Sequence, residues 1–345
     1  VNELVKMYYP KKSKEVLCAI FLFALIIPTS IIATITPLVY AQTNQSIADN
    51  EDLLNMQDIP AKKVHVGDID IAYKMFGKGD PILLISGGST GINGWVPSTL
   101  KALSSNHTVI VFDTRGIGNT TIGSKSYTME QLANDTAGLL DALKIGKANV
   151  LGYSLGSSIA QKFAVMHPEK INSLILVAAT CGGKEGIPQP TQLVKLQSEI
   201  LNKSLNNIPI APEKIKSLIS LSLGTGWLRL HPDDLQNIPK AEDVFAGVPP
   251  NTIKGQFSAG EEWMATNWSG ACNELAKIAK PTLVITGTDD NSYIPHANSL
   301  IIAGKIPGAW LIQIKDAGHA VLSQYPDEID RVLQTFLSTT TNPPS

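Results

Sequence analysis

The run Asn149-Val150-Leu151-Gly152-Tyr153-Ser154-Leu155-Gly156-Ser157, with the stretch that continues to Met166, decides the reading of this chain. Asn149 to Tyr153 is a short β-rich run and reads as a strand. Ser157 to Met166 reads as a helix. Between them a serine stands in a Gly-x-Ser-x-Gly frame. Three fixed positions arise by chance, so the frame alone says little; the context says more. A strand that folds straight back into a helix brings backbone against backbone. Glycines at 152 and 156 remove the side chains that would clash there. The turn would hold the Ser154 hydroxyl above the strand end, beside a helix N-terminus. The competing reading is an ordinary glycine-rich strand–helix loop.

Outward from this turn the pattern is regular. Val64–Val66 and Ile69–Met75 read as strands around the turn Gly67-Asp68, followed by strands at Pro81–Ser86 and Thr108–Asp113. Tyr127–Leu143 has helical spacing, with Leu132, Ala137, Leu140 and Leu143 on related faces and Gly146 after its end. Leu174–Ala179 is a continuous apolar run, as expected of a strand buried on both faces. Strands alternating with helices imply a mostly parallel central sheet flanked by helices. The alternation stops over about 182–278, where helices are expected at Thr191–Leu201, Pro212–Leu223 and Pro250–Met264. It resumes with a strand at Thr282–Thr286, a helix at Ala297–Ile301, a strand at Trp310–Ile314 and a helix at Pro326–Leu337. One α/β domain over 61–340 therefore carries a helical lid inserted between two strands, and 341–345 read as a disordered tail.

The N-terminus is of another kind. Lys6, Lys11, Lys12 and Lys14 precede an uncharged stretch from Val16 to Ala48. Its apolar part, Val16–Val39, is long enough for a bilayer crossing of about 20 residues. Positive charge before it predicts an N-terminus that stays in the cytoplasm, with the rest outside. Residues 1–41 read as a signal peptide or a membrane anchor; Val39-Tyr40-Ala41 offers a cut before Gln42. Residues 42–60 are a polar linker. The expected location is extracytoplasmic, with membrane contact through the N-terminal segment only.

The 345 residues carry a net charge of −2, which gives no electrostatic argument for nucleic acid. Of three cysteines, Cys18 lies in the apolar segment. Cys181 and Cys272 are open to one disulfide in an oxidising compartment or to two free buried thiols, and the free thiols are preferred. No cysteine or histidine cluster suggests a metal, and no organic cofactor is expected.

Two further motifs join the serine turn. Phe112-Asp113-Thr114-Arg115-Gly116-Ile117-Gly118 and Asp316-Ala317-Gly318-His319 follow two of the expected strands. With them, the chain from about residue 62 to 340 resembles the α/β-hydrolase superfamily, in its lidded branch of small esterases, lactonases and haloperoxidase-like enzymes. The resemblance implies a triad in the chain order serine, acid, histidine, with Ser154 as nucleophile. A serine hydroxyl needs a base, and histidine titrates in the useful range. Among six histidines, His319 has the motif and a position after the last strand; His296 is the rival. The acid lies at Asp289 or Asp290, in the loop after Thr286. The family's usual spacing selects Asp290, with Asp289 as runner-up. The oxyanion needs two backbone amides: Leu155, directly after the nucleophile, and Gly88. Here the family usually has His-Gly, and this chain has Ser86-Gly87. Asp113 and Arg115 read as structural. Trp95 reads as a pocket wall or a core residue. Lid aromatics at Trp227, Phe245, Phe257, Trp263 and Trp268 suggest an apolar pocket. The expected activity is acyl transfer on carboxylic esters or lactones. The alternatives are a carbon–carbon or enol-lactone hydrolase with the same triad, or a non-catalytic ligand receptor. Neither substrate nor oligomeric state is legible.

Overall fold

Along β3 (Asp80–Ile85) alternate side chains serve two different cores. Ile82 and Leu84 pack with Leu100, Leu103, Leu333 and Phe336. Leu83 and Ile85 pack with Leu132, Ala133, Ile159 and Phe163. Strand periodicity of two thus makes a sheet apolar on both faces, covered by a helix layer on each side. The computed structural model describes residues 56–206, 208–236, 248–268 and 270–341 of the chain. Among them the sheet has eight strands in the order β1-β2-β4-β3-β5-β6-β7-β8. Besides β3 these are β1 (Lys62–Val66), β2 (Ile69–Gly77), β4 (His107–Phe112), β5 (Ala148–Tyr153), β6 (Ile171–Val177), β7 (Thr282–Gly287) and β8 (Trp310–Ile314). Pairs β1–β2 and β2–β4 are antiparallel; all the others are parallel.

Helices α1 (Pro97–Ser104) and α10 (Pro326–Thr341) lie on the first face. Helices α2 (Met129–Ala142), α3 (Leu155–Met166) and α8 (Ala297–Lys305) lie on the second. A short α9 (Val321–Gln324) precedes α10. Between β6 and β7 come α4 (Thr191–Leu205), α5 (Pro212–Leu223), α6 (Thr225–Leu230) and α7 (Pro250–Met264). These helices share a third apolar cluster, in which Leu193, Ile215, Ile219, Trp227 and Ile253 meet Ile117, Tyr293 and Ala320 of the underlying loops. The inserted helical section expected from the sequence is therefore present.

Strands β3 and β5 are neighbours whose onward connections run to opposite sides, β3 to β4 and β5 to β6. Such a switch point opens a crevice at the carboxyl ends of the strands, where open α/β sheets bind ligands. The loop from Ser86 and the turn at Ser154 both leave the sheet there.

Two expectations change, and one left open is decided. No helix is expected between Ser86 and Thr108 from the sequence, yet α1 lies in that interval, started by Pro97 in its first turn. Cys181 and Cys272 are not free thiols: they form a disulfide with Cα atoms 5.0 Å apart, 91 residues apart in sequence. It fastens the loop after β6 to the segment that leads into β7, so it closes the base of the lid. Of the two readings of Trp95 the core one holds: it packs beneath α1 and α10. No helix among the described residues is long and apolar enough to cross a membrane. The expected segment 1–41, most of the 42–60 linker, Phe245 and the last residues of the tail lie outside the described residues.

Candidate active site

Ser154 sits between the last residue of β5 and the first of α3, at φ 55° and ψ −119°. That backbone is costly for a residue with a Cβ, about 1–3 kcal/mol, and persists only when its surroundings over-determine it. They do. The Ser154 N–H donates to Val177 O at 3.0 Å, and Ser154 O accepts from Ser157 N at 2.9 Å and Ser157 Oγ at 2.6 Å. The two glycines of the frame are required by close approach. A Cβ on Gly152 would lie 2.4 Å from Gly156 O, and one on Gly156 would lie 2.0 Å from Ile85 O. The reading of the turn from its glycines therefore holds, and the second glycine also lets α3 press against the end of β3.

The structure brings Ser154, His319 and Asp290 together. His319 Nε2 is 2.9 Å from Ser154 Oγ, and His319 Nδ1 is 2.8 Å from Asp290 Oδ2. His319 and Asp290 are fully buried, and Ser154 is only 6% exposed. The carboxylate offers only acceptors to Nδ1, so the ring proton belongs there and the Nε2 lone pair faces the hydroxyl. The other carboxylate oxygen accepts from Ile294 N at 2.9 Å. The ring is clamped by stacking on Tyr293, centroids 4.4 Å apart, and by Tyr153 at 5.6 Å. Burial first, and the charge of Asp290 as well, hold both phenols protonated well above the ordinary tyrosine range. Tyr153 donates its hydroxyl to His319 O at 3.1 Å. Tyr153 and Tyr293 thus orient the imidazole, a role the sequence reading did not assign.

The two aspartates are separated by their partners. Asp289 Oδ2 accepts from Gly226 N at 2.6 Å and Thr225 Oγ1 at 3.1 Å, at the start of α6. Asp289 therefore serves the lid, and only Asp290 meets the histidine. His296 also falls away as the rival, since its Nδ1 lies 2.9 Å from Asn291 Oδ1.

The loop after β3 departs from the family at Ser86, and its geometry accounts for the departure. Ser86 Oγ donates to Thr90 O at 2.6 Å. Thr90 returns two bonds to Gly87 O, from N at 3.3 Å and Oγ1 at 3.0 Å. In a trans peptide N–H and C=O point in opposite directions. With its C=O held by Thr90, the Gly87–Gly88 peptide turns the Gly88 N–H away from Thr90. Gly88 lies against Leu155. The Leu155 amide opens α3 and so has no acceptor within the helix. Gly88 and Leu155, the two residues expected to supply amides, are therefore side by side at the nucleophile.

Asp113 and Arg115 serve the frame, as expected. Asp113 accepts from Ile92 N at 2.8 Å and Asn119 N at 3.0 Å; burial nevertheless raises its pKa. Arg115 is fully buried; its guanidinium bonds both oxygens of Asp68 and both of Asp135. Burial opposes its charge, but the two carboxylates outweigh it and keep the guanidinium firmly protonated. Of the lid aromatics, Trp227 joins the lid cluster, whereas Trp263 and Trp268 pack toward the sheet core. Among the described residues no group of three potential ligands could hold a metal.

Residues 80–326 match the family model of the α/β hydrolase fold. A poly(3-hydroxyalkanoate) depolymerase of Ectopseudomonas oleovorans is 30% identical over 257 residues, 74% of this chain and 84% of the relative. A 2-hydroxy-6-oxononadienedioate/2-hydroxy-6-oxononatrienedioate hydrolase of Burkholderia vietnamiensis is 26% identical over 280 residues, 78% of this chain and 91% of the relative. A thermophilic esterase structure from Thermogutta terrifontis superposes with a TM-score of 0.66 at 24% identity, covering 81% of this chain and 99% of the other. A serine turn at the sheet's switch point, an inserted helical section and a family match across both make one assignment: the chain belongs to the α/β hydrolase family and is a hydrolase.

Proposed function

We propose that this hydrolase acts by acyl transfer on carboxylic esters or lactones with apolar groups, through Ser154, His319 and Asp290. The observation that carries the reading is the unbroken contact Ser154 Oγ–His319 Nε2 at 2.9 Å and His319 Nδ1–Asp290 Oδ2 at 2.8 Å. Ser154 Oγ attacks the carbonyl carbon while its proton passes to Nε2, and Asp290 stabilises the imidazolium so formed. The carbonyl oxygen becomes an oxyanion facing the amides of Gly88 and Leu155. His319 then protonates the leaving alcohol, and the acyl group stays on Ser154. Water, losing its proton to Nε2, attacks the acyl carbon; the acid leaves and Ser154 recovers its proton. No metal or organic cofactor enters any of these steps.

The apolar preference is supported by the apolar lid cluster, which meets the site at Tyr293, the ring stacked on His319. The relative named as a depolymerase of poly(3-hydroxyalkanoate) favours esters. The Burkholderia relative favours a second reading, hydrolysis of a 2-hydroxy-6-oxo acid by the same three residues.

The proposed layout is a signal or anchor over 1–41, a linker over 42–60 and the hydrolase domain over 61–340, its lid over about 182–278. Export is supported by the Cys181–Cys272 disulfide, a bond that persists in oxidising compartments.

The test uses protein from residue 42 onward, a panel of p-nitrophenyl esters and lactones, and a fluorophosphonate probe. Ester turnover with labelling at Ser154, abolished in Ser154→Ala, is expected. Labelling that persists in the alanine variant would refute the assignment of the nucleophile. Turnover of 2-hydroxy-6-oxo acids alone would select the second reading. Labelling with no turnover of any substrate would select a receptor.

A further inference from the structure

We propose that Gln256, on the lid helix α7, is a positioning residue for the oxyanion hole: it holds the loop that presents the Gly88 amide. The inference rests on the acyl-transfer reading and adds to it a lid residue that sets oxyanion geometry.

Gly88 is pinned from two sides. Its N-terminal peptide is fixed locally, by the bonds from Thr90 to Gly87 O. Its C-terminal peptide is fixed from the lid: Ser89 N donates to Gln256 Oε1 at 2.7 Å. Ser89 has φ 58°, a left-handed backbone unfavourable for a residue with a Cβ, so it needs an external hold. Both residues are 4% exposed. Water does not stand ready to replace the lost partner, and a buried unpaired N–H costs about 1–3 kcal/mol. Without Gln256 the Gly88–Ser89 peptide would rotate in search of an acceptor and carry Gly88 with it.

The glutamine is itself fixed at both ends. Its Nε2 donates to Thr114 Oγ1 at 3.2 Å, and the Ser89 N–H, which can only donate, sets the amide oxygen toward Ser89. One turn earlier, Thr252 Oγ1 donates to Gly116 O at 3.1 Å and accepts from Tyr127 OH at 3.2 Å. Helix α7 is thus seated on the loop after β4, and Gln256 projects from that seat to the loop after β3. The Ser89 amide, engaged with Gln256, is also withdrawn from the oxyanion, which leaves Gly88 and Leu155 as the donors.

A residue that only supported the fold would affect ground state and transition state alike. A residue that positions the oxyanion hole affects the tetrahedral state selectively. The experiment compares wild type, Gln256→Met, Thr114→Val and the double variant with a short p-nitrophenyl ester. It also compares a trifluoromethyl ketone, which forms a hemiketal oxyanion on Ser154, with the corresponding alcohol, which does not. Gln256→Met should lower kcat about 10–100-fold, the scale of a misplaced oxyanion donor, with KM changed less than about 3-fold. Ketone affinity should fall by the same ratio and alcohol affinity should hold. Thr114→Val should show a smaller loss with the same selectivity. The double variant should be no worse than Gln256→Met, because both changes act through one contact. If Gln256→Met fails to fold, the selective loss in Thr114→Val decides. Equal loss of ketone and alcohol, or unchanged ketone affinity in both single variants, overturns the inference while wild-type turnover leaves the acyl-transfer reading standing. Absence of phosphonate labelling at Ser154 in wild type would overturn both.

Discussion

Replacing Asp290 by asparagine should leave the fold intact and remove most of the activity, for a reason fixed by one backbone amide. Asp290 Oδ1 accepts from Ile294 N at 2.9 Å and Oδ2 faces His319 Nδ1 at 2.8 Å, with no exposure to solvent. In the Asp290→Asn variant one of these positions becomes an NH2 group. It cannot face Ile294 N–H, since two donors would meet there. The amide oxygen therefore stays toward Ile294 and the NH2 faces the imidazole. Nδ1 must then accept, the ring proton moves to Nε2, and Nε2 no longer has a lone pair for the Ser154 proton. The Ile294 bond is kept, and the two bonds of His319, to residue 290 and to Ser154, survive with their directions reversed. A triad aspartate replaced in this way costs about 10⁴-fold in kcat, or roughly 5.5 kcal/mol of barrier. Asp289→Asn, where the side chain accepts from Thr225 and Gly226 at the start of α6, should change kcat less than about 3-fold. The assay is steady-state ester hydrolysis with fluorophosphonate labelling in parallel, and thermal unfolding as control. An Asp290→Asn enzyme with more than about a tenth of wild-type kcat, or a larger loss in Asp289→Asn, would refute the tautomer argument.

Gly156→Ala puts a Cβ 2.0 Å from Ile85 O and 2.5 Å from Ser86 O, both backbone. It should cost about 3 kcal/mol by denaturant unfolding and abolish labelling, whereas Gly146→Ala, with nothing within 4 Å, should stay within about 0.5 kcal/mol. Joint replacement of Cys181 and Cys272 by serine frees a loop of 91 residues and should destabilise by up to about 4–5 kcal/mol in urea. Peptide mapping without reductant should recover the linked pair from wild type. Burial first, and Asp327 with it, raise the Asp330 carboxyl from 3.8 to about 6 against the opposing Thr99 hydroxyl. The folded state thus binds this proton more tightly than the unfolded chain does. Its contribution to stability is full below the unfolded pKa, declines as pH rises from 3.8 to about 6, and is absent above. Asp330→Asn should therefore gain about 1 kcal/mol over wild type near pH 8, after allowance for partial exposure, and nothing near pH 3. A gain that is constant with pH would show that the carboxyl is not the cause.

The nucleophile turn was legible because its constraints are local. Gly152, Ser154 and Gly156 span five residues, and a strand–turn–helix read from periodicity explains all three. The base was legible by order along the chain, since His319 alone follows the last strand and carries the motif. The acid was half legible. Asp289 and Asp290 are adjacent and chemically identical; the family's spacing favours Asp290, and their distant partners, Gly226 and His319, separate the two. Helix α1 was missed because eight residues give little periodicity, although Pro97 in its first turn was an available signal. The disulfide was named as an alternative but not preferred, because pairing depends on Cα separation and no local pattern links residues 91 apart.

The tyrosines and Gln256 mark a different limit. Tyr153 occupies a variable position of the frame, and Tyr293 lies in a loop of the sequence with no periodicity. Both acquire a role only when the sheet edge brings them onto the imidazole. Gln256 is 167 residues from Ser89 and reads as one polar residue on an amphipathic helix. Burial is what changes its meaning. A solvated glutamine has water for a partner and imposes nothing on its neighbours, while a buried one with both ends engaged dictates where they sit. The lid helix α7 therefore does more than cover the site. By fixing Ser89 it fixes the peptide next to Gly88.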